Sequence, residues 1–136
     1  LRILAVDLGR RRIGLAVADS AARLPRPLAA RAATGTLRSD ARTIAAVAEA
    51  EEAALVVVGL PLLGGEETPM SGVCRRLASE LASLGLAVEL VDESLTSREA
   101  HAAMAEAGVR GARRRRLVDG EAACRIADRY FEASRD

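Results

Sequence analysis

Asp7 closes an apolar run, Ile3-Leu4-Ala5-Val6, and is followed by Leu8, Gly9 and three arginines, Arg10, Arg11 and Arg12. The chain then returns through Gly14 as an alternating strand whose large residues are Ile13, Leu15 and Val17. A carboxylate at the end of a fully apolar strand is costly unless something pairs with it. With cations beside it in a turn, it suits the holding of a metal ion and a phosphate. The plainer reading is an acid that bonds the backbone of its own hairpin. Three further acids could join it: Asp92 and Glu93, at the end of the apolar run Ala87–Val91, and Asp119, just after the arginine run Arg113, Arg114, Arg115 and Arg116.

Whether these acids meet depends on the elements that carry them. The first hairpin is followed by Pro25 and Pro27 and a short third strand over Leu28–Ala33. A helix opens at Ser39 or Asp40, with Ile44, Val47 and Ala48 as its apolar stripe. Ala54–Val58 is a solid apolar run ended by Gly59, the pattern of a strand buried on both faces. The loop over 61–68 contains Gly64-Gly65, and Thr68-Pro69 supplies an N-cap and a first-turn proline. The next helix carries Met70, Val73, Cys74, Leu77, Leu81 and Leu84 on one face and stops at Gly85. After the strand 87–91, Thr96-Ser97-Arg98-Glu99 fits a capping box, predicting a helix to about Gly108. A basic connector over 109–116 leads to a last helix from Asp119, burying Ala122, Ala123, Ile126, Ala127, Tyr130 and Phe131.

Three hairpin-linked strands followed by alternating helix and strand predict an α/β fold with a mixed five-stranded sheet of order 3-2-1-4-5. The first, fourth and fifth strands then run parallel, and their carboxyl ends share one edge, the usual ligand position in open α/β sheets. Asp7 and the pair Asp92-Glu93 meet there. Asp19 is carried away on the returning strand, roughly 20 Å at ~3.3 Å per residue. Side-chain alternation lets only one of Asp92 and Glu93 point with Asp7 and does not choose between them. Two carboxylates 4 Å apart repel by about 4 kcal/mol at an effective dielectric of ~20, so a cluster needs a cation or a proton between them. Oxygen ligands without His or Cys favour Mg²⁺ or Mn²⁺. Asp119 is the candidate third ligand, and it also reads as a plain helix N-cap. Glu93 could instead pair with Arg98.

Length and composition bound the rest. At 136 residues, one domain spanning 1–136 is expected. Half the residues are apolar, yet Tyr130 and Phe131 are the only aromatics, so the core is built from Leu, Val, Ile and much Ala. All 20 cationic residues are Arg. They cluster at 10–12 and 113–116 while acids gather at Glu49, Glu51, Glu52, Glu66 and Glu67, a segregation that suits an anionic partner. No run approaches the ~20 apolar residues of a membrane span, and the N-terminus lacks a signal-peptide pattern, so a cytoplasmic protein with no membrane contact is expected. Cys74 and Cys124 lie in helical patterns without metal-ligand spacing and read as small buried residues. The one histidine, His101, falls mid-helix among alanines, and the glycines match neither a P-loop nor a dinucleotide fingerprint.

Four motifs together carry a resemblance: Ile3–Gly9 with Gly14–Asp19; Val57-Val58-Gly59-Leu60-Pro61-Leu62; Val91–Ser97; and Val118-Asp119 with Ala122-Ala123. In this order and at these intervals the chain resembles the YqgF/RuvX family of Holliday-junction-resolvase-like nucleases, also described as candidate pre-16S rRNA nucleases. The resemblance implies a ribonuclease-H-like three-layer fold, with helices flanking the sheet. It also implies a metal-dependent nuclease acting on structured nucleic acid, pre-rRNA or branched DNA or RNA, with Mg²⁺ or Mn²⁺. The family's acids fall on Asp7, Glu93 and Asp119, which are expected to be catalytic and metal-binding. Arg10, Arg11, Arg12, Arg98, Arg113, Arg114, Arg115 and Arg116 are expected to hold phosphates. Ribosomal particles are further expected partners, and the protein itself is a monomer or homodimer. Two departures stand out: Leu63 where relatives commonly have Asn, and Ser94 where they commonly have Arg. The competing readings are a non-catalytic rRNA-binding or ribosome-binding module, and a nucleotide hydrolase of the actin and sugar-kinase type, which normally needs two such domains.

Overall fold

A computed structural model describes residues 1–22, 24–93 and 111–134, with the backbone alone for 111–119. The elements are β1 (Arg2–Leu8), β2 (Arg12–Asp19), β3 (Arg26–Ala32), α1 (Leu37–Ala50), β4 (Leu55–Leu60), α2 (Pro69–Ser83), β5 (Val88–Asp92) and α3 (Gly111–Ala133). The sheet order is β3-β2-β1-β4-β5, antiparallel on the β2 side of β1 and parallel on the β4 side, as the hairpin-then-alternation pattern predicts. This is the α/β, ribonuclease-H-like arrangement.

Strand alternation divides the core into two layers. Leu4, Val6 and Leu8 of β1 pack with Val56, Val58 and Leu60 of β4 against Ile44 of α1 and Cys74, Leu77 and Leu81 of α2. Ile3, Ala5, Leu55 and Val57 face the other way, onto Ala123, Ile126, Ala127 and Phe131 of α3. Alanine on both sides of this second layer lets the helix approach the sheet closely, so two aromatics suffice.

Several local expectations shift for physical reasons. Helix α1 starts earlier than Ser39 or Asp40. Thr36 is its N-cap, extended at φ −128° and ψ 138°, accepting from the Ser39 N–H, while Asp40 lies buried in the first turn. Strand β4 continues through Gly59 to Leu60, because the glycine sits where the sheet needs room. Helix α2 has the expected Thr68 cap and Pro69 start, but Leu84 falls at its C-cap, 46% exposed, ahead of Gly85 at φ 89°. Residues 111–116 are helical rather than a connector, in keeping with the good helix propensity of Arg and Ala. Asp119 is therefore inside α3 and is not its N-cap. The helix expected over 96–108, with His101, lies outside the described residues.

The acid-rich stretches serve as structure. Glu51 accepts from Arg2 at 3.2 Å and Arg26 at 3.0 Å, tying the start of β1 and β3 to the end of α1. Glu67 takes a two-pronged contact from Arg75, at 2.9 and 2.8 Å. Among the described residues no helix is long and apolar enough to cross a membrane.

Candidate active site

Asp7 pairs with Gly14 across the hairpin and shares the α3 side of β1 with Ile3 and Ala5. The turn beyond it closes when the Gly9 N–H donates to the Arg12 carbonyl at 2.9 Å. A Cβ at Gly9 would stand 2.8 Å from that oxygen, so the turn needs glycine. On the far strand, Leu90 packs toward α1 and α2 and Val91 toward α3. Alternation then returns position 93 to the Asp7 side of the sheet.

Glu93 follows β5 directly, its N–H donating to the Leu60 carbonyl at 3.1 Å. Its side chain is only 7% exposed, and Oε2 has no hydrogen-bond partner among the described residues. Burial pushes this carboxyl up to about 9, helped by the charge of Asp7, a hydrogen bond with Asp7 and the charge of Asp92, against the opposing pull of Arg129. Asp7 and Glu93 thus meet in a poorly hydrated place where both are not readily ionised together without a cation.

Gly59 makes the meeting possible. A Cβ there would lie 2.5 Å from Ile126 Cδ1, 2.7 Å from Glu93 Oε2 and 2.8 Å from Glu93 Cδ. The glycine of the Val-Val-Gly-Leu-Pro motif therefore clears the seat of the Glu93 carboxyl under α3. Its signal in the sequence was a lone glycine at the end of an otherwise apolar strand, which often marks a close approach. Arg129 carries no comparable signal in the sequence. Its Nη1 donates to the Asp92 carbonyl at 3.1 Å, placing a cation by the end of β5.

The other expected residues divide clearly. Asp19 pairs with Arg2 at the opposite end of the hairpin and caps a turn, its Oδ1 accepting from the Ala21 N–H at 2.8 Å. Arg10 and Arg11 are exposed on the Asp7 turn, and Arg12 is partly buried there. Arg98 lies outside the described residues. Arg113 to Arg116 and Asp119 lie on the described backbone of α3, with side chains outside the described residues. Helical spacing puts position 119 on the stripe of Ala122, Ala123 and Ile126, which faces the sheet. Among the described residues no group of three His, Cys, Asp or Glu side chains forms a metal site. Gly64 and Gly65, at φ 57° and 81°, make a tight turn closed by two 2.9 Å bonds between Leu63 and Glu66, and leave Leu63 71% exposed. Both cysteines are free, and their thiols are pushed up to about 12, chiefly by burial, so they stay protonated.

This sheet order, with a carboxylate pair where the carboxyl ends of β1 and β5 share one edge of the sheet, is that of the ribonuclease-H-like fold. Two solved structures have the same architecture: Thermus thermophilus RuvC in complex with a Holliday junction substrate, at TM-score 0.53 and 16% identity over 98% of this chain and 95% of that one; and the large terminase nuclease of thermophilic phage G20c, at TM-score 0.55 and 15% identity over 91% and 80%. Sequence narrows the class further. Residues 1–133 match the family described as "RuvX: Holliday junction resolvase", and the chain belongs to that family of nucleic-acid hydrolases. A protein of Anaeromyxobacter dehalogenans (strain 2CP-1) is 43% identical over 137 residues, covering 97% of both chains, and bears the name "Putative pre-16S rRNA nuclease". A protein of the same name from Myxococcus xanthus is 38% identical over 99% of this chain and 90% of its own.

Proposed function

We propose that this chain is a divalent-metal-dependent nuclease that hydrolyses phosphodiester bonds in structured nucleic acid, in 16S rRNA 5′-end maturation, in junction resolution, or in both. The observation that carries the metal requirement is the Glu93 carboxyl, buried against Asp7 with Oε2 unpartnered among the described residues and its protonation pushed far up. An orphaned buried oxygen beside a second carboxyl fits a hard cation, and an all-oxygen donor set fits Mg²⁺ or Mn²⁺. Asp7 and Glu93, joined by Asp119 from α3, would hold it. When bound, such an ion supplies Lewis-acid stabilisation of phosphodiester charge and makes water acidic enough to serve as a nucleophile near neutral pH.

The chain's own groups do the rest. Gly59 and Ile126 fix the position of the Glu93 carboxyl, and Arg129 tempers the negative charge around it. Arg10, Arg11 and Arg12 lie on the turn that follows Asp7 and hold backbone phosphates beside the scissile bond. Arg98 and Arg113 to Arg116 extend this phosphate contact. Such contacts give affinity and register with little reading of sequence. The protein works as one domain in the cytoplasm, as a monomer or homodimer, on naked nucleic acid or on ribosomal particles.

The test is incubation of the purified protein with Mg²⁺ or Mn²⁺ and a panel of pre-16S 5′-leader RNAs and four-way DNA junctions. Cleavage of at least one substrate that stops on chelation is expected. Tight binding to RNA without divalent-dependent cleavage of any of them would favour the non-catalytic rRNA-binding module instead.

A further inference from the structure

A cleft lies on the side of the sheet opposite the Asp7–Glu93 pair. It measures about 400 Å³ and opens at the Leu8–Arg10 turn, between the starts of α1 and α2. Leu37, Met70 and Val73 supply apolar walls, and Arg10 and Arg76 line it with cations. Neither arginine has an ion-pair partner among the described residues. The one acid in the lining is Asp40, only 4% exposed. Its Oδ1 is held by the Thr34 N–H and Oγ1, each at 2.8 Å, which leaves Oδ2 without a protein donor among the described residues.

Each simple ligand class conflicts with one of these features. A bare phosphate would satisfy the arginines and be repelled by Asp40, a cation would meet the reverse conflict, and a purely apolar group would leave three charged side chains unanswered. A nucleotide answers all of them. Its base is a flat apolar body for the walls, its phosphate suits the arginines, and a base edge with adjacent N–H donors suits a carboxylate acceptor. Guanine has that edge, in N1–H and the N2 amino group, whereas the other RNA bases do not present two adjacent donors. The volume falls within the ~300–1,000 Å³ typical of small-molecule sites.

We propose that this cleft is a guanine-nucleotide site, with Asp40 reading the base edge and Arg10 and Arg76 holding the phosphate. The nucleotide is either free or an unstacked guanosine of a bound strand, since the cleft opens beside the turn that follows Asp7. The site is tested without cleavage, so failure here leaves the nuclease reading untouched, and the converse also holds.

The experiment is calorimetric titration of GMP, AMP, CMP and UMP into the full chain. GMP should bind at least about tenfold more tightly than the others, the low end of what one good base contact gives, with the N1–H and N2 amino donors converging on the open Oδ2. Asp40→Asn, which keeps an acceptor for Thr34, should bring GMP to within about threefold of AMP. Arg76→Ala, at an exposed side chain, should weaken all four by a common factor and remains informative if the Asp40 variant misfolds. A guanosine-centred trinucleotide binding much more tightly than GMP would identify a strand as the source, and equal or weaker binding would identify the free nucleotide. Equal affinity for the four nucleotides, or no GMP binding at millimolar concentration, would overturn the proposal.

Discussion

Replacing Glu93 with Gln should stabilise the metal-free protein, by an amount that grows with pH. The Glu93 carboxyl is raised from 4.5 to about 9 in the folded chain, first by burial and then by Asp7. Between those two values the folded state binds a proton that the unfolded state releases, so the group's contribution to stability is full below the unfolded value. That contribution is lost as pH rises toward the folded one, at ~1.4 kcal/mol per pH unit. From pH 5.5 to pH 7.5 the wild type should therefore lose roughly 3 kcal/mol that the Gln variant keeps. Urea denaturation of both proteins in EDTA at the two pH values measures this directly. A wild-type-minus-variant difference that stays constant to within about 0.5 kcal/mol across that range would show that Glu93 is not held protonated against Asp7. Adding Mn²⁺ at pH 7.5 should then stabilise the wild type more than the variant, because only binding to the folded state shifts the equilibrium.

Gly59→Ala should cost about 1–3 kcal/mol in chemical denaturation and displace the Glu93 carboxyl, since the new methyl meets Ile126 and Glu93 at 2.5 and 2.7 Å in a buried place. Cleavage should fall with it, and an active, equally stable variant would contradict the role given to this glycine. Gly120→Ala should destabilise despite alanine's helix advantage of ~1 kcal/mol, because its Cβ would press on the rigid Pro27 ring at 2.8 Å. A rise in melting temperature would mean that α3 and β3 can part more easily than this packing implies. Replacing Arg10, Arg11 and Arg12 together with Ala should reduce the slope of log affinity against log salt by up to ~2–3 for a duplex, at ~0.9 per lost phosphate contact. An unchanged slope would remove this turn from the interface.

The sheet order and the sidedness of the core were legible because the hydrophobic periods were unambiguous: Ile3–Val6 and Ala54–Val58 as solid runs, Ile13–Leu15–Val17 as an alternation. The meeting of Asp7 with the end of β5 followed from topology alone. What the pattern could not supply was set by close packing. Gly59 reads as a strand terminator, and its purpose emerges only when Glu93 and Ile126 are seen against it. The start of α3 was misplaced because a run of arginines looks like a loop by charge and like a helix by propensity, and nothing local decides between them. Asp40 looked like a helix start, whereas Thr36 caps the helix and Asp40 bonds back to Thr34.

The central claim is that Asp7 and Glu93 act together with a divalent cation to cut nucleic acid. Its most direct measurement is the cleavage rate of one susceptible substrate across a Mn²⁺ titration, for the wild type, Asp7→Asn and Glu93→Gln, with folding checked by circular dichroism. The wild-type rate should rise and saturate with Mn²⁺ while both folded variants stay at background. Wild-type-like, metal-dependent cleavage by either variant would contradict the claim.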